Sequence, residues 1–169
     1  MIDDGTITEL PALAAAVGER LLSLGMMLAT AESCTGGWAA KSLTDIAGSS
    51  AWLERGFVTY SNAAKVEMLG VSAASLDTHG AVSEAVALEM VRGALRHSRA
   101  QVALSITGIA GPGGGGAEKP VGTVWLAWGR EGAESIARRE HFAGDREQVR
   151  AQSVRAALEG VLRLLAEHG

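Results

Sequence analysis

Apolar positions recur along this chain in two rhythms, one of about three to four residues and one of short unbroken runs, and the switches between them mark out its elements. Residues 8–24 carry Leu10, Leu21, Leu22 and Leu24 with alanines between, which predicts a helix with Pro11 in its first turn, where a missing N–H is tolerated. Residues 26–32 read as a short buried strand, 35–44 as a helix and 52–60 as a second strand. That order predicts a parallel, right-handed crossover. Ser61 is placed to cap a helix over 62–69, and Ser83 one over 84–96 whose apolar face is Val86, Met90 and Val91. Residues 101–107 form the next strand, and 121–128 with 134–142 a hairpin turning at 129–133. Asp145 then caps a last helix that runs to about His168, with Val154, Leu158, Val161, Leu162 and Leu165 inward.

These elements predict an α/β fold: a three-layer α/β/α sandwich on a mixed, mostly parallel sheet, in one domain over 1–169. In such sheets ligands bind in the crevice beyond the carboxyl ends of the parallel strands. Three polar clusters fall at predicted strand ends, namely Ser33, then Tyr60 with Lys65, then Thr107.

Composition narrows the possible partners. A chain of 169 residues, 47% hydrophobic, suffices for one continuous core. Its 15 basic and 19 acidic residues, a net charge of -4, leave no broad cationic surface, so nucleic acid is not an expected partner. The acidic start of the chain lacks the positive, then apolar, pattern of a secretory signal, and no apolar run approaches the roughly 18 residues of a membrane span. The expected setting is cytoplasmic, away from membranes. Cys34 is the only cysteine and the four histidines are scattered, so neither a disulfide nor a metal or other cofactor is expected.

The stretch Ala29-Thr30-Ala31-Glu32-Ser33-Cys34-Thr35-Gly36-Gly37 holds the sharpest chemical signal. A serine there ends a strand and faces the N–H groups of a helix start, whose positive end favours an anion or oxyanion. Such a serine needs a base, and no histidine ends a predicted strand, so lysine is the replacement. An ordinary lysine titrates at about 10.4, and a base near neutrality needs a depression of roughly 3, on the order of 4 kcal/mol of desolvation or charge repulsion. Lys65 is the candidate. Spacing leaves the nucleophile open: Ser61 reaches Lys65 at i,i+4, Ser33 reaches it only through the fold, and Cys34 is a third choice. Tyr60 can relay a proton or hydrogen-bond an oxyanion, Thr107 and Gly108 can touch substrate, and Arg146, beside the Asp145 cap, can hold a phosphate or carboxylate.

Each of these residues also has a plainer use. Serine before a helix is commonly a cap, an isolated lysine a solvated one, a tyrosine a core residue with a wet hydroxyl, and a lone cysteine a small buried hydrophobe. Gly111-Pro112-Gly113-Gly114-Gly115-Gly116 formally matches G-x-G-x-x-G, but a strand follows where the dinucleotide fingerprint requires a helix, and no Gly-Lys-Ser/Thr ending makes it a P-loop. A flexible lid or linker is its expected use. The four tryptophans, Trp38, Trp52, Trp125 and Trp128, read as core or subunit-interface anchors, with Trp38 nearest Ser33.

Taken together and in order, Ala31-Glu32-Ser33-Cys34-Thr35-Gly36-Gly37, Gly56-Phe57-Val58-Thr59-Tyr60-Ser61-Asn62-Ala63-Ala64-Lys65, Gly80-Ala81-Val82-Ser83-Glu84, Thr107-Gly108-Ile109-Ala110-Gly111-Pro112 and Lys119-Pro120-Val121-Gly122-Thr123-Val124 give the chain its resemblance to the CinA carboxyl-terminal-domain family. Members that stand alone resemble nicotinamide-nucleotide amidases, which turn nicotinamide mononucleotide into nicotinate mononucleotide and ammonia in pyridine-nucleotide salvage. Larger members carry an extra amino-terminal domain whose activities do not transfer. The resemblance implies Ser33 as nucleophile, Lys65 as general base, Tyr60 as supporting proton relay, and Thr107 with Arg146 around a pyridine nucleotide. Backbone N–H groups of Cys34, Thr35 and Gly36 supply an oxyanion hole in that reading, no cofactor is required, and a homo-oligomer is expected. The alternatives are a non-catalytic nucleotide-binding or regulatory module and, less well supported for want of clustered carboxylates, a phosphate-ester hydrolase.

Overall fold

The computed structural model describes residues 5–167, and the predicted end of the last helix at His168 lies outside them. The elements run α1 (Thr6–Leu24), β1 (Leu28–Glu32), α2 (Trp38–Thr44), a single 3-10 turn (Ser49–Ala51), β2 (Leu53–Val58), α3 (Asn62–Leu69), α4 (Ala73–His79), α5 (Glu84–Arg96), β3 (Val102–Gly108), β4 (Thr123–Arg130), β5 (Ile136–His141) and α6 (Arg146–Ala166). The strands form one sheet in the order β2-β1-β3-β4-β5. β1 pairs in parallel with β2 and β3, while β3 with β4 and β4 with β5 are antiparallel. Four of the five described strands therefore run the same way, although parallel and antiparallel pairings are equal in number.

The period-2 geometry of the strands sorts side chains to two faces. Val102, Leu104 and Ile106 of β3, with Val124, Leu126 and Trp128 of β4, face a core shared with α1, α2 and α6. The opposite face offers small residues, Ala29, Ala31, Ala103 and Ala127, which let α5 come close with Val86, Ala87, Met90 and Val91. Ser105, also on that face, donates to the carbonyl of Ala87 at 2.7 Å. Helices thus cover both sides, giving the three-layer α/β/α arrangement.

Four local expectations change. α1 starts at Thr6, which puts Pro11 beyond the first turn; as proline has no N–H, the helix forgoes one ladder bond there. α2 starts at Trp38 because Gly36 and Gly37 adopt left-handed conformations, φ 58° and 100°, that a helix cannot include. The hairpin turn shifts by two residues, since β4 continues to Arg130 and pairs there with Val102. α4, capped by Ser72, was not anticipated from the sequence: it buries no residue fully and so carries no apolar stripe to detect. Among the described residues no helix is long and apolar enough to cross a membrane.

Candidate active site

The parallel strands β1, β2 and β3 end side by side, and their carboxyl ends open on a cavity of about 310 Å³. Ser33 and Cys34 follow β1, Tyr60, Asn62 and Lys65 follow β2, and Thr107 and Gly108 end β3; all line the cavity, with Arg146 from the start of α6. Chain segments far apart in sequence meet here because the sheet brings their strands into register.

The central contact is between Lys65 and Ser33. The Lys65 Nζ donates to Ser33 Oγ at 2.9 Å and to the carbonyl of Thr59 at 2.8 Å. Lys65 is 1% exposed and Ser33 8%. Burial lowers the lysine pKa below its ordinary value by penalising the ammonium, against an opposing pull from Cys34. Short side-chain reach fixes this pair: α3 starts at Ser61, whose hydroxyl accepts from the Ala64 N–H, and its first turn swings Lys65 inward under β1. Ser61 is consequently an exposed helix cap outside the cavity lining, and its hydroxyl is not the partner of Lys65 Nζ.

The turn from Ser33 to Trp38 is held rigidly. The Ser33 N–H donates to the carbonyl of Ile106, and the Gly36 N–H to the carbonyl of Ser33. Both amides are thereby occupied. Among the described residues, the Cys34 and Thr35 N–H groups donate no hydrogen bond to another residue. Thr35 and Gly36 do not line the cavity; they border a hollow on the other side of the turn, with Trp38 and Arg150. Cys34 does line the cavity but is 7% exposed, and burial, followed by the Glu32 charge, pushes its thiol up to about 11 despite Arg150 and Lys65. It remains a thiol at neutral pH, which argues against it as nucleophile.

Two supporting residues were not singled out from the sequence. Glu32, fully buried at the end of β1, accepts from the Thr35 hydroxyl at 2.6 Å and from the N–H groups of Ala39 and Ala40 at 2.8 and 3.1 Å. It caps α2 in place of Gly37, which has no side chain for the task. A charged residue closing a strand of small and apolar residues is the sequence signal by which it is recognisable. Arg150 of α6 donates to the carbonyls of Cys34 at 3.0 Å and Thr35 at 3.2 Å, and lies 5.4 Å from the centre of the Trp38 ring. Arginine in mid-helix gives no such warning.

Tyr60 stands at the rim, 64% exposed, and its hydroxyl accepts from Arg146 Nη2 at 3.3 Å; it makes no hydrogen bond to Ser33 or Lys65. Arg146 Nη1 also donates to the carbonyl of Gly111 at 2.9 Å. Thr107, 1% exposed, donates to the carbonyl of Ala81 and so fixes the entry to α5. Gly108 leaves no room for a Cβ, which would meet Val124 Cγ2 at 2.7 Å. The glycine-rich segment is a wall and not a plain linker: Ile109, Ala110, Gly111, Gly113 and Gly114 line the cavity, Ile109 and Gly122 are bonded into the start of β4, and Lys119 ties the segment to the carbonyl of His79. Asn62, Ala81 and Val82 complete the lining.

A buried serine hydroxyl beside a lysine of lowered pKa, at the mouth of a cavity rimmed by an arginine, is an arrangement suited to nucleophilic attack on a small anionic substrate. Comparison with known proteins is consistent with this. The family model described as CinA C-terminal domain matches residues 10–165. The chain is 58% identical over 154 residues to "Nicotinamide-nucleotide amidohydrolase PncC" of Escherichia coli strain K12, covering 91% of this chain and 93% of that protein. It is 52% identical over 155 residues to the Pseudomonas putida protein of the same name, covering 92% and 96%. Among solved structures, "competence/damage inducible protein CihA" from Agrobacterium tumefaciens superposes with a TM-score of 0.91 at 49% identity, over 92% of this chain and 95% of that one. By sequence, fold and the extent of both matches, the chain belongs to the CinA C-terminal domain family.

Proposed function

We propose that this chain hydrolyses the carboxamide of nicotinamide mononucleotide to nicotinate mononucleotide and ammonia, as a step of pyridine-nucleotide salvage. The observation that carries the reading is the 2.9 Å contact between Lys65 Nζ and Ser33 Oγ in a buried site. The names of the close relatives support the substrate.

In this mechanism neutral Lys65 removes the Ser33 proton as Oγ bonds to the carboxamide carbon. The carbonyl oxygen becomes an oxyanion, for which the backbone N–H of Cys34, the residue after the nucleophile and part of the cavity lining, is the donor. The C–N bond then breaks, the nitrogen taking the proton from Lys65, and ammonia leaves. Water adds to the resulting ester while Lys65 takes its proton, and the C–O bond to Ser33 breaks to release the carboxylate and restore the hydroxyl. The pyridinium ring withdraws electrons from the attached carboxamide, which assists attack. Arg146 faces the nucleotide phosphate, and Tyr60 acts with Arg146 at the rim in place of a relay between Ser33 and Lys65.

Ammonia release from nicotinamide mononucleotide is the direct test. Wild type is expected to turn over, Ser33→Ala and Lys65→Ala to lose activity by about three orders of magnitude or more, and Ser61→Ala to keep it. Full turnover by Ser33→Ala excludes the mechanism. Tight nucleotide binding without turnover by the wild type identifies a non-catalytic binding module instead.

A further inference from the structure

A second basic hollow, of about 460 Å³, lies at the other end of the sheet, where β4 ends and turns into β5. Arg92 and Arg96 from the last turns of α5 line it with Arg130 from the end of β4, Ser135, and the exposed carboxylates Glu131 and Glu134. It is well separated from the cavity at Ser33. Ala81 and Val82, just before α5, line that first cavity, and a helix of 13 residues rises roughly 20 Å to the arginines.

Two of the three guanidinium groups are not explained by the fold around them. Arg96 has structural work, since it donates to the carbonyl of Leu69 at 3.3 Å and complements the negative end of α5. Arg92 is exposed and makes no hydrogen bond or ion pair among the described residues. Arg130 is half-buried, and its Nη1 is inaccessible to solvent with no partner. Arg92 and Arg96 also repel one another at i,i+4. Glu131 and Glu134 form no ion pair with any of the three, so the arginines are not neutralised in place. A chain with a net charge of -4 has thus gathered three positive side chains from two elements around a concavity and left two of them without partners.

We propose that this hollow is a second anion site that binds a pyrophosphate group, free or as part of a nucleoside diphosphate. A carboxylate has two oxygens and satisfies one or two guanidinium forks, whereas a pyrophosphate presents enough oxygens and charge for three, with the Ser135 hydroxyl as a further donor. Binding offsets the repulsion between Arg92 and Arg96 and pairs the charge of exposed Arg92, which has no partner among the described residues. The proposal does not depend on the activity assigned to the Ser33 cavity.

Titration of nitrogen-15-labelled protein at low ionic strength with inorganic pyrophosphate, inorganic phosphate and a nucleoside diphosphate, read by amide chemical shifts, tests it by location. Saturable shifts are expected at residues 131–135 and near Arg92, with pyrophosphate binding more tightly than phosphate. Arg92→Ala, an exposed substitution, is expected to weaken pyrophosphate binding about tenfold with the rest of the spectrum unchanged, and Arg96→Ala to weaken it as well. A nucleoside diphosphate that binds more tightly still identifies a nucleotide as the ligand; equal affinity identifies the pyrophosphate group alone. Shifts confined to residues 108–114 and Arg146, or an affinity unchanged by Arg92→Ala, overturn the proposal. So does the finding that Arg92→Glu alters sedimentation of a protein that binds none of the three anions, since the hollow is then a contact between subunits.

Discussion

At the scale of single residues, the site depends on what burial does to two neighbouring groups. Lys65 and Cys34 both lose solvent, but desolvation favours the neutral form of each, so the lysine becomes a better base at neutral pH and the thiol a worse nucleophile. Cys34→Ala should therefore keep kcat/KM within about a factor of five of wild type, the change expected from a small packing loss of about 1 kcal/mol. The proposed mechanism needs Lys65 neutral, so kcat/KM should rise with pH and level off below the ordinary lysine value, a limb that a pH profile of ammonia release will show. Stability carries the same sign. Between the lowered folded pKa and the unfolded value, the unfolded chain binds the additional proton, so Lys65 makes folding less favourable as pH falls through that interval and more favourable as it rises. Urea midpoints of wild type and Lys65→Met, compared across pH, should converge toward the alkaline end of the interval. Glu32 completes this scale: a fully buried carboxylate is tolerable only because three donors meet it, and all three belong to the turn and helix that present Ser33.

At the scale of elements, helix starts set the positions of the functional side chains. Ser61 orients α3 and hence Lys65, Ser83 orients α5, and Asp145 starts α6 with a capping box in which its side chain accepts from the Gln148 N–H while Gln148 accepts from the Asp145 N–H. Removing the last cap should have two effects. Asp145→Ala should cost about 1 kcal/mol, a fall in Tm of about 2–4 °C for a chain of this length. Because Arg146 is the first residue of α6, the same variant should also raise KM for the nucleotide more than it lowers kcat. Calorimetry and steady-state kinetics on one preparation separate the two. The cap motifs were legible because serine and aspartate in front of apolar periodicity have a local cause, an N–H that needs an acceptor. α4 was not legible, as a helix with no buried face leaves no period in the sequence.

At the scale of the whole molecule, α6 and the sheet act together to hold the turn after β1. Arg150 reaches across from α6 to the carbonyls of Cys34 and Thr35, so the orientation of the turn that carries Ser33 depends on a residue 116 positions away from Cys34. Arg150→Met keeps much of the apolar contact with Trp38 but leaves both carbonyls without a donor, and should lower kcat about tenfold with little change in KM, while Arg150→Lys should recover part of the loss. The amino-acid sequence by itself determined the layer order, the sheet's mixed character, the caps and the identity of Ser33 and Lys65 as candidates, because each rests on local periodicity, on a capping group, or on a motif contiguous in the chain. It left Ser33, Ser61 and Cys34 as competing nucleophiles. Only the tertiary structure shows which of them Lys65 meets, since the contact of Lys65 Nζ with the Ser33 hydroxyl, the burial that shifts its proton affinity, and the supports from Glu32 and Arg150 come from parallel pairing of β1 with its neighbours and the packing of α6 against their ends. Spacing along a chain carries no record of such contacts, because they form between segments that sequence distance does not relate.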